Sequence, residues 1–129
     1  MSADPLFLTR AQVERLHSMS LERFGGSEGI RDEGLIQSAL ASAINARVYG
    51  NGDVFDVAAA YAFHLAEAQA FIDGNKRTAA AAALTFLDIN GIGELPGDDV
   101  LYDAMIAIAN KEMSKTELAA LFRAAGHSK

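Results

Sequence analysis

Apolar residues recur along this chain at the three- and four-residue spacing of helix faces, in six successive segments. The first reads Val13, Leu16, Leu21 and Phe24, positions that one side of a 3.6-residue helix presents together. Thr9 stands ahead of it with Gln12 three residues on, a capping-box pair, and Gly25-Gly26 ends it. A second segment starts near Asp32 and carries Leu35, Ile36, Ala39, Leu40, Ala43, Ile44 and Val48 on one stripe, up to the turn Tyr49-Gly50-Asn51-Gly52. Asp53 is an N-cap residue for a third helix. That helix has a core face of Val54, Val57, Ala58, Tyr61, Ala62 and Leu65 and ends at about Gln69 or Ala70.

The fourth segment begins near Asn75 and stops before Asn90-Gly91. It is apolar almost all round, from Ala79–Ala83 to Leu84, Phe86, Leu87 and Ile89, and a helix of that kind is expected at the buried centre of a bundle. After the loop Leu95-Pro96-Gly97, a fifth helix is marked by Leu101, Ala104, Met105 and Ile108. A sixth is marked by Leu118, Leu121, Phe122 and Ala125, opened by the capping pair Ser114 and Glu117 and closed by Gly126. The expected fold is all-α, a single-domain compact helical bundle of about six helices over residues 1–129, without repeats or linkers.

Composition narrows the function classes. The chain has no cysteine, so neither disulfides nor thiolate chemistry are available, which fits a reducing compartment. Met1 to Pro5 lacks the basic start of a secretory signal. The most apolar stretch, Thr78 to Leu87, falls short of the ~20 residues of a membrane span. A cytoplasmic protein without a membrane partner is expected. Eleven basic against 17 acidic residues leave a net charge of -6. That opposes broad electrostatic binding to nucleic acid, so no direct DNA binding is expected.

The only adjacent pair of cations, Lys76-Arg77, lies in the short stretch between the third and fourth helices, Gln69-Ala-Phe-Ile-Asp-Gly-Asn-Lys-Arg77. The first N–H groups of the fourth helix have no intrahelical acceptors and carry the positive end of the helix dipole, an arrangement that attracts anions. Gly74 lets a phosphate approach the backbone closely. Asn75 can cap the helix or orient a ligand, and Lys76 and Arg77 can clamp phosphates. Asp73 can share a Mg²⁺ with phosphate oxygens, since Mg²⁺ typically takes one or two carboxylates plus substrate oxygens. The same residues also read as ordinary turn chemistry with solvated cations, and the spacing is not that of a Walker A loop.

Phe71-Ile-Asp-Gly-Asn-Lys-Arg77 closely resembles the signature of the Fic/Doc superfamily, His-x-Phe-x-Asp-Gly/Ala-Asn-Lys-Arg, and Lys76 resembles its death-on-curing (Doc) branch. Arg23-Phe-Gly-Gly26, Gly29-Ile-Arg-Asp32, Asp53-Val-Phe-Asp-Val57 and Thr78 to Asn90 also look like Doc toxins in order and spacing, so the resemblance covers nearly the whole chain. The resemblance implies a helical transferase that uses ATP with Mg²⁺. Most Fic proteins move AMP onto a protein hydroxyl. Doc toxins move the γ-phosphate, with elongation factor Tu as the known type of target, and a cognate antitoxin restrains them. The inhibitory pattern Ser/Thr-x-x-x-Glu-Gly/Asn of some Fic proteins is absent from the sequence, in keeping with restraint by a separate partner. Gly74, Asn75, Lys76 and Arg77 are the implied nucleotide-binding positions. Asp73 is the implied Mg²⁺ position and Phe71 a structural anchor.

The motif histidine, which takes the proton of the attacking hydroxyl, is replaced by Gln69. An amide cannot serve as a proton acceptor near neutral pH, although its carbonyl oxygen can orient a hydroxyl. Three readings stay open: a protein that works with Gln69, a non-catalytic member that still binds nucleotide or a partner, and a position altered to silence a toxic activity. Of the other histidines, His64 lies five residues upstream, about 140° round a helix from Gln69, and is expected to be part-buried in the third helix. His17 in the first helix, His127 near the end and Glu67 on another face are not expected to act as the base.

Overall fold

The computed structural model describes residues 4–126. His127 lies outside them. Six helices follow one another: α1 Arg10–Phe24, α2 Glu33–Val48, α3 Val54–Ala68, α4 Asn75–Ile89, α5 Asp98–Ala109 and α6 Lys115–Ala125. Side chains that satisfy the first free N–H groups set several of the starts. Thr9 Oγ1 accepts from the Gln12 N–H at 3.1 Å while Gln12 Oε1 accepts from the Thr9 N–H at 2.8 Å. Ser114 and Glu117 repeat the device at 3.1 Å each way. Asp53 forms a reciprocal pair with Asp56, and Asp32 accepts from the Leu35 N–H.

All six helices contribute to one hydrophobic core, with α3 at its centre rather than α4. Helix α3 packs against α2, α4, α5 and α6, and Val57, Ala58, Ala59, Ala60, Tyr61 and Ala62 are buried in an unbroken run. Helix α4 buries a single face, Thr78, Ala79, Ala82, Ala83, Phe86 and Leu87. Its Ala81 and Leu84 are half-buried, and Asp88 and Ile89 are exposed. The expectation that α4 is the centre fails because a run of alanines looks equally apolar on every side and does not reveal which side is covered. The small side chains of α3 are what admit neighbours from four directions.

The first helix departs from its expected stripe too. Its buried residues are Val13, His17 and Ser20, and Phe24 is 52 % exposed. The stretch before α1 is tied across the bundle by long-range bonds. Asn90 brackets the Leu6 backbone, accepting its N–H at 2.7 Å and donating to its carbonyl at 3.0 Å. The Tyr61 hydroxyl accepts the buried Leu8 N–H at 2.9 Å. Tyr61→Phe leaves that N–H without a partner, so a loss of about 1–3 kcal/mol in urea unfolding is expected. No loss would mean that the bond is dispensable. Among the described residues no helix is long and apolar enough to cross a membrane.

Candidate functional site

Helix α3 ends at Ala68, and Gln69 turns out of it in the left-handed conformation, φ 49 and ψ 48. The chain then runs through buried Ala70 and Phe71 to exposed Ile72 and Asp73, reaches Gly74 and enters α4. Gly74, not Asn75, is the N-cap. Its φ of 77 is left-handed, the region glycine enters without penalty. It offers no side-chain acceptor to the first turn.

Three sets of contacts hold this loop. The Gly29–Asp32 segment runs beside it as a short antiparallel bridge between Ile30 and Phe71. Arg31 N–H and Asp32 N–H donate to the Ala70 carbonyl, and Ile72 N–H donates to the Gly29 carbonyl. From the same segment the Arg31 guanidinium donates to the Gln69 carbonyl at 2.5 Å, placing a cation at the carbonyl end of α3. Asn75 clamps the loop from the other side: its Oδ1 accepts from the Phe71 N–H at 3.0 Å and its Nδ2 donates to the Phe71 carbonyl at 2.9 Å. Beneath the loop the Phe71 ring, 3 % exposed, stacks on the ring of His17 with centroids 3.9 Å apart.

The folding of this loop brings Gln69, Asp73, Gly74, Asn75, Lys76 and Arg77 round one cleft of about 340 Å³. Phe24 and Gly26 from the end of α1 and Tyr102 from α5 complete its rim. The Arg77 guanidinium lies 3.7 Å over the exposed Phe24 ring and 4.7 Å from that of Tyr102. This explains why Phe24 leaves the core: it is a platform for a cation. Asp73 Oδ2 accepts from the Ser27 N–H at 2.9 Å, which fastens the Gly25–Gly29 turn to the loop and leaves Oδ1 without a hydrogen bond among the described residues. A larger hollow of about 550 Å³ lies between Glu14, His17, Glu28 and Phe71 and shares Gly26 with the cleft. It holds none of the six cleft residues. Among the described residues no group of three or more Asp, Glu or His is placed to hold a metal ion.

The fold agrees with what comparison of the sequence shows. The Fic/DOC family profile matches residues 7–87, from the approach to α1 through most of α4. The chain belongs to the Fic/DOC family. It is 43 % identical to a protein named Toxin Doc from Mycolicibacterium smegmatis over 103 residues, covering 75 % of this chain and 78 % of that one. It is 34 % identical to Protein kinase doc of Escherichia phage P1 over 110 residues, covering 84 % and 86 %.

Within this Fic/DOC chain the remaining acid–base candidates lie elsewhere. His64 is part-buried on α3, its Nε2 3.3 Å from Lys115 Nζ of α6, and Glu67 faces the same α6 side. Burial first, and then the charge of Lys115, hold the His64 pKa below its ordinary 6.5, with Glu67 opposing. The folded protein therefore favours neutral His64. As pH falls below 6.5 the unfolded chain takes up this proton first, and stability is lost. His64→Gln is expected to flatten the fall in melting temperature between about pH 6.5 and 5. Parallel profiles for both proteins would rule out His64 as the source of that fall. The sequence marks His17 only as a candidate base and Arg31 only as part of the Gly29–Asp32 stretch, and neither is expected from it to support the loop. The signal for His17 was its place four residues after Val13, on the buried face of α1. Nothing in the neighbourhood of Arg31 marks it as a partner of Gln69.

Proposed function

We propose that this protein is a Doc-like toxin that transfers the γ-phosphate of ATP to a hydroxyl of a protein target, of the elongation factor Tu type, in the cytoplasm, and that a cognate antitoxin restrains it. The names of the two relatives, a Doc toxin and a protein kinase, support this reading. The observation that carries it is the cleft itself: a helix start whose N-cap has no side chain, with Lys76 and Arg77 in its first turn and Gln69 lining the same cleft. The donor set fits a triphosphate, because first-turn N–H groups, a lysine and an arginine all favour anionic oxygens. It also fits Mg²⁺ only in company with phosphate. Asp73 Oδ1 is a single carboxylate oxygen, and Mg²⁺ bound so would neutralise charge on the transferring group.

Each residue then has a part. Gly74 and the first turn of α4 cradle phosphate oxygens, and Lys76 and Arg77 offset their charge. Arg77 must leave the Phe24 ring to do so. Asn75 keeps the loop in shape through Phe71 and retains one Nδ2 hydrogen for the nucleotide. Gln69 orients the acceptor hydroxyl through its amide oxygen without taking its proton, which attenuates transfer. Phosphoryl transfer tolerates this better than most reactions, because positioning and charge stabilisation do most of its catalysis.

The test uses ATP labelled at either the α- or the γ-phosphate, Mg²⁺ and a bacterial lysate. The γ-label is expected on a protein. The α-label instead would mean AMP transfer, as in most Fic proteins. No label from this chain or its Gln69→His variant would leave a nucleotide- or partner-binding module, the reading that Gln69 favours.

A further inference from the structure

We propose that His17 is a positioning residue for the anion cradle, setting from beneath the loop the turn that aims the first N–H groups of α4 into the cleft. Its ring is 6 % exposed and meets the loop at three points, Phe71, Asp73 and Gly74. It stacks on Phe71 with the ring planes 13° apart. Its Nε2 lies 2.7 Å from the Asp73 carbonyl oxygen. A carbonyl only accepts, so Nε2 carries the proton and the neutral ring is the Nε2–H tautomer. A Cβ built on Gly74 would lie 3.5 Å from His17 Cδ2, so the ring also backs the glycine.

Gly74 is the N-cap, and its φ of 77 decides the direction in which α4 starts. The Asp73 carbonyl belongs to the peptide group leading into Gly74. Fixing that carbonyl fixes the rotation of the peptide plane and with it the path into the helix. Without a donor here, the carbonyl is half-buried and unsatisfied, and the turn is free to rotate towards water. His17 is not a base for the reaction. It lines the larger hollow, not the cleft that holds Gln69, Lys76 and Arg77. It acts through the loop, on the placement of groups that meet the ligand.

The consequence for catalysis rests on the phosphate-transfer reading, but the geometry does not, so the test has two readouts. His17→Phe keeps an aromatic ring against Phe71 and removes the donor, while His17→Gln restores an amide donor. Mg²⁺–ATP affinity is measured by titration calorimetry, and amide hydrogen exchange is followed at Phe71 and Thr78, whose N–H groups bond within the loop and to the Gly74 carbonyl. For His17→Phe, affinity falls about tenfold, the weight of one hydrogen bond, and both amides exchange faster, while amides of α2 and α6 do not. His17→Gln returns both readouts towards the parent. A His17→Phe protein that binds and exchanges like the parent overturns the proposal. So does an equal loss in both variants, because the amide donor of the glutamine then restores nothing. If the parent binds no Mg²⁺–ATP, the phosphate-transfer reading fails, and the exchange pattern alone upholds or overturns the role of His17 by the same criteria. Should His17→Phe not fold, His17→Leu, also without a donor, takes its place.

Discussion

Gln69→His is expected to raise the rate of phosphate transfer by about 10²–10³-fold, within the usual contribution of a placed general base. The backbone at this position suits the change. Gln69 has φ 49, and histidine is among the non-glycine residues that occur most readily at positive φ. The main chain there is pinned by Arg31 on the Gln69 carbonyl and by the Ala70 carbonyl, which accepts two N–H groups from the 31–32 segment. A new side chain therefore leaves from the same place and points into the same cleft. An imidazole titrates near the working pH and can take the hydroxyl proton that an amide cannot. Initial rates of γ-label incorporation, measured on protein variants of matched melting temperature, decide it. Gln69→Ala should fall below the parent if the amide oxygen orients the acceptor. Equal rates for glutamine and histidine would remove the general base from the account and leave positioning alone.

What the sequence revealed and what it hid divide along the range of the interactions. Thr9 with Gln12 and Ser114 with Glu117 were legible because each cap closes over three residues and uses side chains suited to nothing else there. The six helices followed from apolar spacing for the same local reason. Gly74 was legible as a special turn residue, and its positive φ accounts for it. The centre of the bundle was not legible: both α3 and α4 are rich in alanine, and only packing shows that α3 is covered on all sides. Nor were the supports of the loop. His17 is 56 residues from the carbonyl it meets and Arg31 is 38 from Gln69, and neither separation leaves a periodic trace. Asn75 shows a subtler limit. Its position at the start of α4 was plain, but an asparagine there has several local partners, and only the path of the loop selects the Phe71 backbone over the helix cap.

Phe71→Ala is expected to destabilise the protein by about 3–4 kcal/mol and to lower its melting temperature by about 10–15 °C. Phe71 is the point where loop and core meet. Its ring is buried, lies on His17, and carries on its own backbone both bonds from Asn75 and the bridge to Ile30. Removing the ring costs its burial and leaves a cavity that the loop can collapse into only by moving Asp73 and Gly74. The cleft is then expected to lose the anion affinity proposed for it along with the stability. Ile72→Ala is the control, one residue further along the same loop. Ile72 is 54 % exposed; its Cδ1 lies over Gly29, but its hydrogen bond to the bridge runs through its backbone N–H, which alanine keeps. Its loss should stay within about 0.5 kcal/mol. Urea unfolding of the two variants distinguishes an anchored loop from one that is merely apolar. A loss at Ile72 as large as that at Phe71 would mean that the loop is held by its surface rather than by the ring beneath it.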